Sequence, residues 1–363
     1  MKVIVVGAGV VGSSLTWRLA QRGIDVTLIE RAAAASGTTG SSFAWTNANQ
    51  KTPEDYFKLN RAGMEAHRAL QDELGETPWR HEGGNLMWAE ADTEASELEA
   101  RVARLQNWDY PAQWLSRDDV SELEPKLRLD SDVEQVAYFP TEGWIDGPLL
   151  AQTMCQNAAD AGATVRFASE VTVITTDGDT VKGVKLANGE DIAADLVVNC
   201  AGPAADRVAQ LAGRTLPMAQ TLGLVVRVTP GNGAISRVIH APTLHMRPDA
   251  NGLIALHHGD ADAAITNGEP GNVWAETLRQ RLGEYVPELA GARVSRWSIG
   301  TRPIPSDERS SAGLLPSLPG YAEIVTHSAI TMGPLLGRLV AAEIATGDVD
   351  PLLVAFRPQR FGG

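Results

Sequence analysis

Only two of the 363 residues are cysteine. Cys155 falls in a predicted helix and Cys200 in a predicted buried strand, so the chain supports neither a disulfide framework nor a cysteine-based metal site, and no metal is expected. Basic clusters are missing too. With a net charge of -14 and no Lys/Arg patch, the chain lacks the concentrated positive face that nucleic-acid binding requires. No apolar run is read as approaching the length of a membrane span. The first strand begins at once, which leaves no room for a signal peptide, so a cytoplasmic enzyme without an integral membrane segment is expected. Internal repeats and low-complexity tracts are absent as well. A composition 44% hydrophobic and 21% charged describes a globular chain long enough for two domains sharing a large core.

What is present begins at the N-terminus. Lys2 to Val6 reads as a buried parallel strand and breaks into Gly7-Ala-Gly9-Val-Val-Gly12, followed by a helix over about Ser13 to Arg22 and a second strand from Ile24 to Ile29. Gly7 permits a tight turn, Gly9 lets backbone approach a pyrophosphate, and Gly12 lets the helix pack on the strand. The helix N-terminus adds free N–H groups and partial positive charge. Glu30 ends the second strand, where a carboxylate accepts hydrogen bonds from ribose hydroxyls and repels the extra phosphate of NADP. FAD or NAD is therefore expected. The next stretch, containing Ser36, Gly37, Thr38, Thr39, Gly40, Ser41 and Ser42, suits a loop whose backbone and hydroxyls approach a ligand.

Farther along, Thr52-Pro-Glu-Asp55 offers a capping signature for a helix running to Leu74, and the composition shifts toward Trp and acidic residues between Trp79 and Pro140. Asp146 caps another helix ended by Gly162. Strands at Val171–Ile174, Val181–Leu186 and Ile192–Val198 are joined by Asp177-Gly178 and Asn188-Gly189, the turn chemistry of a meander. An NAD dehydrogenase usually continues with βα units here, so the meander favours FAD. Leu222 to Arg302 reads as mainly β, with strands over Gly223–Val228, Arg237–Met246 and Gly252–His257 and a helix over Val273–Tyr285. Tyr321 to Thr326 then leads into a final helix over Ile330–Ala345.

At these residues the chain resembles the D-amino acid oxidase family of FAD enzymes, which includes glycine oxidase, sarcosine oxidase and D-amino acid dehydrogenases. The resemblance rests on Gly7-x-Gly9-x-x-Gly12 with Glu30, Gly143-x-Ile-Asp146, Val198-Asn-Cys-Ala-Gly202-Pro203, Gly300-Thr-Arg302-Pro303, His327-Ser-x-Ile-Thr-x-Gly-Pro334-x-x-Gly337-Arg338 and the tail Phe356-Arg-Pro-x-Arg-Phe361. It implies an α/β fold: a Rossmann-like FAD-binding domain of glutathione-reductase type with an inserted, mainly β substrate domain. The FAD-binding domain is expected over 1–78, 146–215 and 300–363, and the substrate domain over 79–145 and 216–299. Implied FAD contacts are Gly7, Gly9, Val10, Val11, Gly12, Glu30, Arg31, Ser36, Gly37, Thr38, Thr39, Ser41, Ser42, Val171, Cys200, Ala201, Gly202, Arg302, Ser328, Ala329, Ile330 and Thr331. Members of the family move hydride from the carbon bearing an amine to flavin N5, giving an imine that water hydrolyses.

Arg302 is the implied partner of a substrate carboxylate, because glycine oxidase uses a similar Gly-x-Arg-Pro and a guanidinium matches a carboxylate in bidentate fashion. That enzyme's second arginine has no counterpart in His327-Ser-Ala-Ile330, which leaves Arg247 as a candidate to share the task. Gly252-Leu-Ile254-Ala-Leu-His257-His258 is similar to a sarcosine oxidase strand, so His258 is expected to face the flavin, with Ile254 where that enzyme keeps a lysine that assists oxygen reduction. An acceptor other than oxygen therefore stays open. No cysteine lies near Ser298–Thr301, so the FAD is expected to be non-covalent. The expected partner is a small amine or amino acid, with oligomeric state open. An NAD-linked dehydrogenase and a non-catalytic flavin-binding subunit are the competing readings.

Overall fold

A parallel sheet forms the floor of the molecule, of which the computed structural model describes residues 1–230 and 233–362. Lys2–Val6 runs between Asp25–Ile29 and Leu196–Asn199; Thr164–Arg166 and Tyr321–Val325 extend the sheet on either side, and Ser311–Leu314 closes one edge antiparallel. These strands are apolar on both faces because both are covered. Val3, Val5, Val26 and Leu28 pack on the helices Val10–Ala20, Gly147–Asp160 and Ala329–Thr346, whereas Ile4, Val6 and Ile29 pack beneath the three-stranded meander and the Ala205–Leu211 helix.

The Ala329–Thr346 helix corrects one expectation. With a mean hydropathy of 1.2 over 18 residues, it is long and apolar enough to span a bilayer by length and composition. Here it lies inside the fold: a Cβ on Gly337 would come within 2.8 Å of Leu15 N, so the two helices touch backbone to backbone.

Above the floor stands an eight-stranded sheet in the order Arg293–Pro305, Met218–Thr229, Leu253–His257, His245–Asp249, Val238–His240, Asn85–Met87, Gln135–Phe139 and Gln113–Ser116. Alternation along these strands sorts them into two faces. Leu224, Val226, Met246, Ile254 and Leu256 join a core with Ala261, Ile265, Leu278 and Leu282 of the helices Gly259–Thr266 and Gly271–Tyr285. The opposite face carries Arg227 and Arg247, both level with Ala255, and His245, level with His257. It looks toward the first unit: Arg247 donates to the Phe43 carbonyl, and Arg227 lies 3.5 Å from the Gly40 carbonyl.

Several expected elements are divided or displaced. The run expected as Ile192–Val198 separates into Asp191–Ala193 in the meander and Leu196–Asn199 in the parallel sheet, where Asp195 accepts from Lys2 N at 2.7 Å as the chain crosses between them. Arg237–Met246 is a hairpin of Val238–His240 and His245–Asp249 rather than one strand, with Ala241 and Leu244 paired across the turn. Pro53, not Thr52, precedes the Glu54–Leu74 helix, and no side chain caps it. The strand Arg293–Pro305 also continues past the boundary expected at residue 300.

Candidate flavin and substrate site

A crevice of about 550 Å³ runs along the carboxyl ends of the parallel strands, within the range of cofactor pockets. Its shape follows from the glycine turn. Gly7 has φ of 107°, and a Cβ there would lie 2.5 Å from the Cys200 carbonyl oxygen. Gly9 precedes the Val10–Ala20 helix, whose first turn meets the crevice where Gly9, Val10 and Val11 line the wall; Val10 N donates to Thr39 Oγ1 at 3.2 Å, and the rest of the turn faces the crevice without a side-chain cap. Glu30 is held rigidly at the end of its strand, accepting from Ala8 N and Ala32 N at 2.9 Å each, one on each oxygen. Backbone that approaches closely, a helix N-terminus and a fixed carboxylate together fit the pyrophosphate and ribose of FAD.

Most of the expected cofactor contacts line this crevice: Gly7, Gly9, Val10, Val11, Glu30, Arg31, Ser36, Gly37, Thr38, Thr39, Ser42, Val171, Cys200, Ala201, Gly202, Ala329 and Ile330. Five do not. Gly12 lies behind the wall, where a Cβ would collide with the Gly7 carbonyl. Ser41 is turned toward Gly300 and the Gly37 carbonyl. The Ser328 hydroxyl pairs with Tyr56 at 3.0 Å, and Thr331 Oγ1 accepts from Asn47 N at 3.4 Å, so both side chains tie the 47–56 segment to the last helix. Arg302 belongs to the sheet overhead. Sequence reasoning missed Ser169, Glu170 and Thr172, which reach the crevice because Thr164–Arg166 is the neighbouring edge strand, and also Pro303 and His327. His327 stands in the quoted C-terminal motif, which was a signal for it. Burial pushes the Cys200 thiol far up, so it stays protonated and offers no thiolate for attachment.

Arg302 projects from the sheet with its charge already paired. Its Nη2 meets the Asp262 carboxylate and lies 3.2 Å from His257 Nε2, while Nη1 donates to the Leu222 carbonyl at 2.9 Å. Asp262 also accepts from Leu224 N at 2.8 Å and lies 2.9 Å from His257 Nε2. The histidine in this cluster is His257, not His258. His258 caps the Gly259–Thr266 helix, bonded to Asp260 at 2.6 Å and the Pro242 carbonyl at 3.0 Å, with its ring 5.1 Å from that of His245. The strand ends at His257, so His258 takes no part in its alternation of faces. Ile254 accordingly sits in the apolar core, and Ala255 occupies the cleft-facing position.

Arg247, the other expected anion partner, is 1% exposed, with its Nε and Nη1 engaged. It pairs with Asp249 at 3.0 Å, donates to the Phe43 and Pro248 carbonyls, and lies over the Trp144 ring at 4.5 Å. Arg227 shares Asp249 at 2.7 Å. Glu142, buried below, accepts from Trp45 Nε1, Ala48 N, Asn49 N, Asn49 Nδ2, Asn85 Nδ2 and Tyr110 OH, which fastens the 45–49 segment. Burial pushes its pKa up to about 7 against those hydrogen bonds. Among the described residues, no group of three or more His, Cys, Asp or Glu is arranged to hold a metal.

A glycine-turn crevice with a pinned acidic residue, roofed by the polar face of a second sheet, defines a dinucleotide-binding flavoprotein of the glutathione-reductase type. The chain belongs to the FAD dependent oxidoreductase family, whose profile matches residues 2–343. It is 26% identical over 329 residues to the anaerobic glycerol-3-phosphate dehydrogenase subunit A1 of Haloferax volcanii, covering 83% of this chain but 54% of that one. The chain thus spans about half the length of that relative. It is also 26% identical over 353 residues to glycine oxidase of Geobacillus kaustophilus, covering 93% and 91% of the two chains. The crystal structure of glycine oxidase from Geobacillus kaustophilus superposes with a TM-score of 0.85 over 99% of both chains, at 23% identity, a likeness of fold. The protein is an FAD-dependent oxidoreductase.

Proposed function

We propose that the protein oxidises the C–N bond of a small amino acid or N-substituted amino acid. The observation that carries this reading is the seam between the two units, where Pro303 and His327 line the FAD crevice directly beside Arg302 of the overhanging sheet. FAD bound there supplies the acceptor for hydride from the carbon bearing the amine, leaving an imine that water hydrolyses. The chain's own residues do the positioning. The 47–56 segment is fastened by Glu142 and by the Ser328 and Thr331 hydroxyls beside the last helix, and the His257–Asp262–Arg302 cluster holds the overhanging sheet in place. In this reading, residues 1–78, 146–215 and 300–363 hold the cofactor and residues 79–145 and 216–299 cover it. The similarity over nearly full length to glycine oxidase supports an amino acid as substrate.

Anaerobic bleaching tests the proposal. The holoprotein is mixed without oxygen with D- and L-amino acids, glycine, sarcosine and other N-alkylated amino acids. At least one should remove the oxidised flavin absorbance, and repeating that mixture in air separates an oxidase from a dehydrogenase. A flavin reduced by none of them refutes the reading and favours a flavin-binding subunit without amine chemistry of its own.

A further inference from the structure

Strand register places Arg302 beside the crevice. It is level with Thr221, as Gly300 is with Gly223 and Arg296 with Arg227, so its side chain leaves the sheet on the face that carries Arg227. On that face a Cβ at Gly300 would collide with Ser41. The residues on either side of Arg302 also reach the cofactor wall: the Thr301 carbonyl accepts from Thr38 Oγ1 at 2.7 Å, and both Thr38 and Pro303 line the crevice. The Arg302 side chain is 27% exposed, so a ligand can touch it.

What a ligand meets there is a guanidinium whose strong edges are closed. A carboxylate takes two parallel N–H bonds from arginine, along the edge shared by Nε and Nη2 or the edge shared by Nη1 and Nη2. Both edges need Nη2. Here Nη2 is held by Asp262, and Nη1 donates to the Leu222 carbonyl at 2.9 Å. An incoming carboxylate gains bidentate contact with Arg302 only by displacing Asp262.

The resting contact is arranged so that it can be given up. His257 Nε2 lies 2.9 Å from Asp262 Oδ2 and 3.2 Å from Arg302 Nη2. A hydrogen on Nε2 suits the carboxylate but opposes the guanidinium N–H, whereas a bare Nε2 accepts from the guanidinium but opposes the carboxylate. One of the three contacts is therefore always poor. Once Arg302 moves away, the His257 Nε2–H donates to Asp262 unopposed, and Leu224 N stays on the other oxygen at 2.8 Å. Asp262 loses one donor and keeps two.

We propose that Asp262 sets the affinity of the substrate site: it holds Arg302 in a resting position, and a substrate carboxylate binds by taking the guanidinium from Asp262, which His257 and Leu224 N then retain. This deepens the reading of an amino acid substrate and rests on it. Asp262 is a positioning residue, acting on the substrate through Arg302. A ligand without a carboxylate has nothing to offer in exchange, so the site favours acids over their amides.

The test uses redox-inert carboxylates, acetate and benzoate, titrated into the FAD-loaded protein while the flavin spectrum is recorded, with acetamide and benzamide as neutral controls. Asp262→Asn keeps the shape and an acceptor for Leu224 N but removes the competing charge. It should bind both acids about tenfold more tightly than the wild type, the scale of one charge-assisted hydrogen bond, and the amides no better. Asp260→Asn makes the same charge change two residues away, on the partner of Arg281, and should leave acid binding within about twofold of the wild type. Adding Arg302→Met to Asp262→Asn should abolish the gain. The proposal is overturned if Asp262→Asn binds the acids no better than the wild type, if Asp260→Asn matches its gain, or if the gain survives the loss of Arg302. Should Asp262→Asn fail to retain FAD, a crystal structure of the wild type with benzoate decides: Arg302 on the benzoate carboxylate with His257 on Asp262 supports the exchange, and bound benzoate with Arg302 still on Asp262 refutes it. Failure of the amino acid screen with the titrations as expected would refute the function and leave the exchange standing.

Discussion

Replacing Gly12 by alanine puts the glycine turn to a direct test. Gly12 lies on the inner side of the Val10–Ala20 helix, where a Cβ would overlap the Gly7 carbonyl oxygen and come within 3.1 Å of the Gly7 carbon and 3.2 Å of Cys200 Cβ. The first two obstacles are backbone, and neither can rotate away. The helix must therefore lift from the turn, and overpacking of this kind costs about 3 kcal/mol. Alanine inside a helix returns roughly 1 kcal/mol of propensity, leaving a net loss of about 2 kcal/mol. The displaced helix start carries Val10 and Val11, which line the crevice, so FAD affinity should fall by about tenfold as well. Urea unfolding of the apoprotein reads the first quantity, and titration of apoprotein with FAD reads the second. Gly291→Ala is the control, since nothing lies within 4 Å of a Cβ there, and it should be close to neutral. A Gly12→Ala protein as stable as the control, with unaltered FAD affinity, would refute the close-packing argument.

Three further outcomes are expected. Glu30→Ala removes the acceptor for Ala8 N and Ala32 N as well as the ribose partner, so FAD binding should weaken by roughly 10- to 100-fold while the spectrum of the bound flavin is unchanged; undiminished affinity would reject the ribose role. Arg302→Ala leaves Asp262 without its guanidinium and should lower stability by about 3 kcal/mol in urea with FAD still bound, whereas a shift under 1 kcal/mol would mean the pair is dispensable. His67, buried with Nε2 2.8 Å from the Ile330 carbonyl, has its pKa pulled down by burial to about 4. The folded chain refuses a proton that the unfolded chain accepts below pH 6.5, so stability should fall as pH drops from 6.5 toward 4, and His67→Gln should flatten that part of the melting-temperature profile. An identical slope in both proteins would count against it.

The local signals of the chain were legible because each depends on neighbours in sequence. A strand, a glycine turn, a helix and an acidic stop use residues 2 to 30, and the Asp-Gly and Asn-Gly turns of the meander need only their own backbone preferences. Asp146 capped its helix as expected, accepting from Leu149 N at 3.0 Å. The candidate substrate site was harder. His257 and His258 are equivalent as letters, and only pairing with His245–Asp249 and Met218–Thr229 decides which of them faces the cleft.

By itself, then, the sequence determined a glycine turn with an acidic stop at the first βα unit and a chain divided into a parallel and a mainly antiparallel sheet, since period, turn residues and terminal charge act over a few residues. Only the tertiary structure decided which charges are spent. Arg302 and Asp262 lie 40 positions apart, and Arg227 and Asp249 lie 22 apart. Whether a cation is neutralised by a carboxylate depends on distances of a few ångströms between strands and helices that meet only in the folded chain.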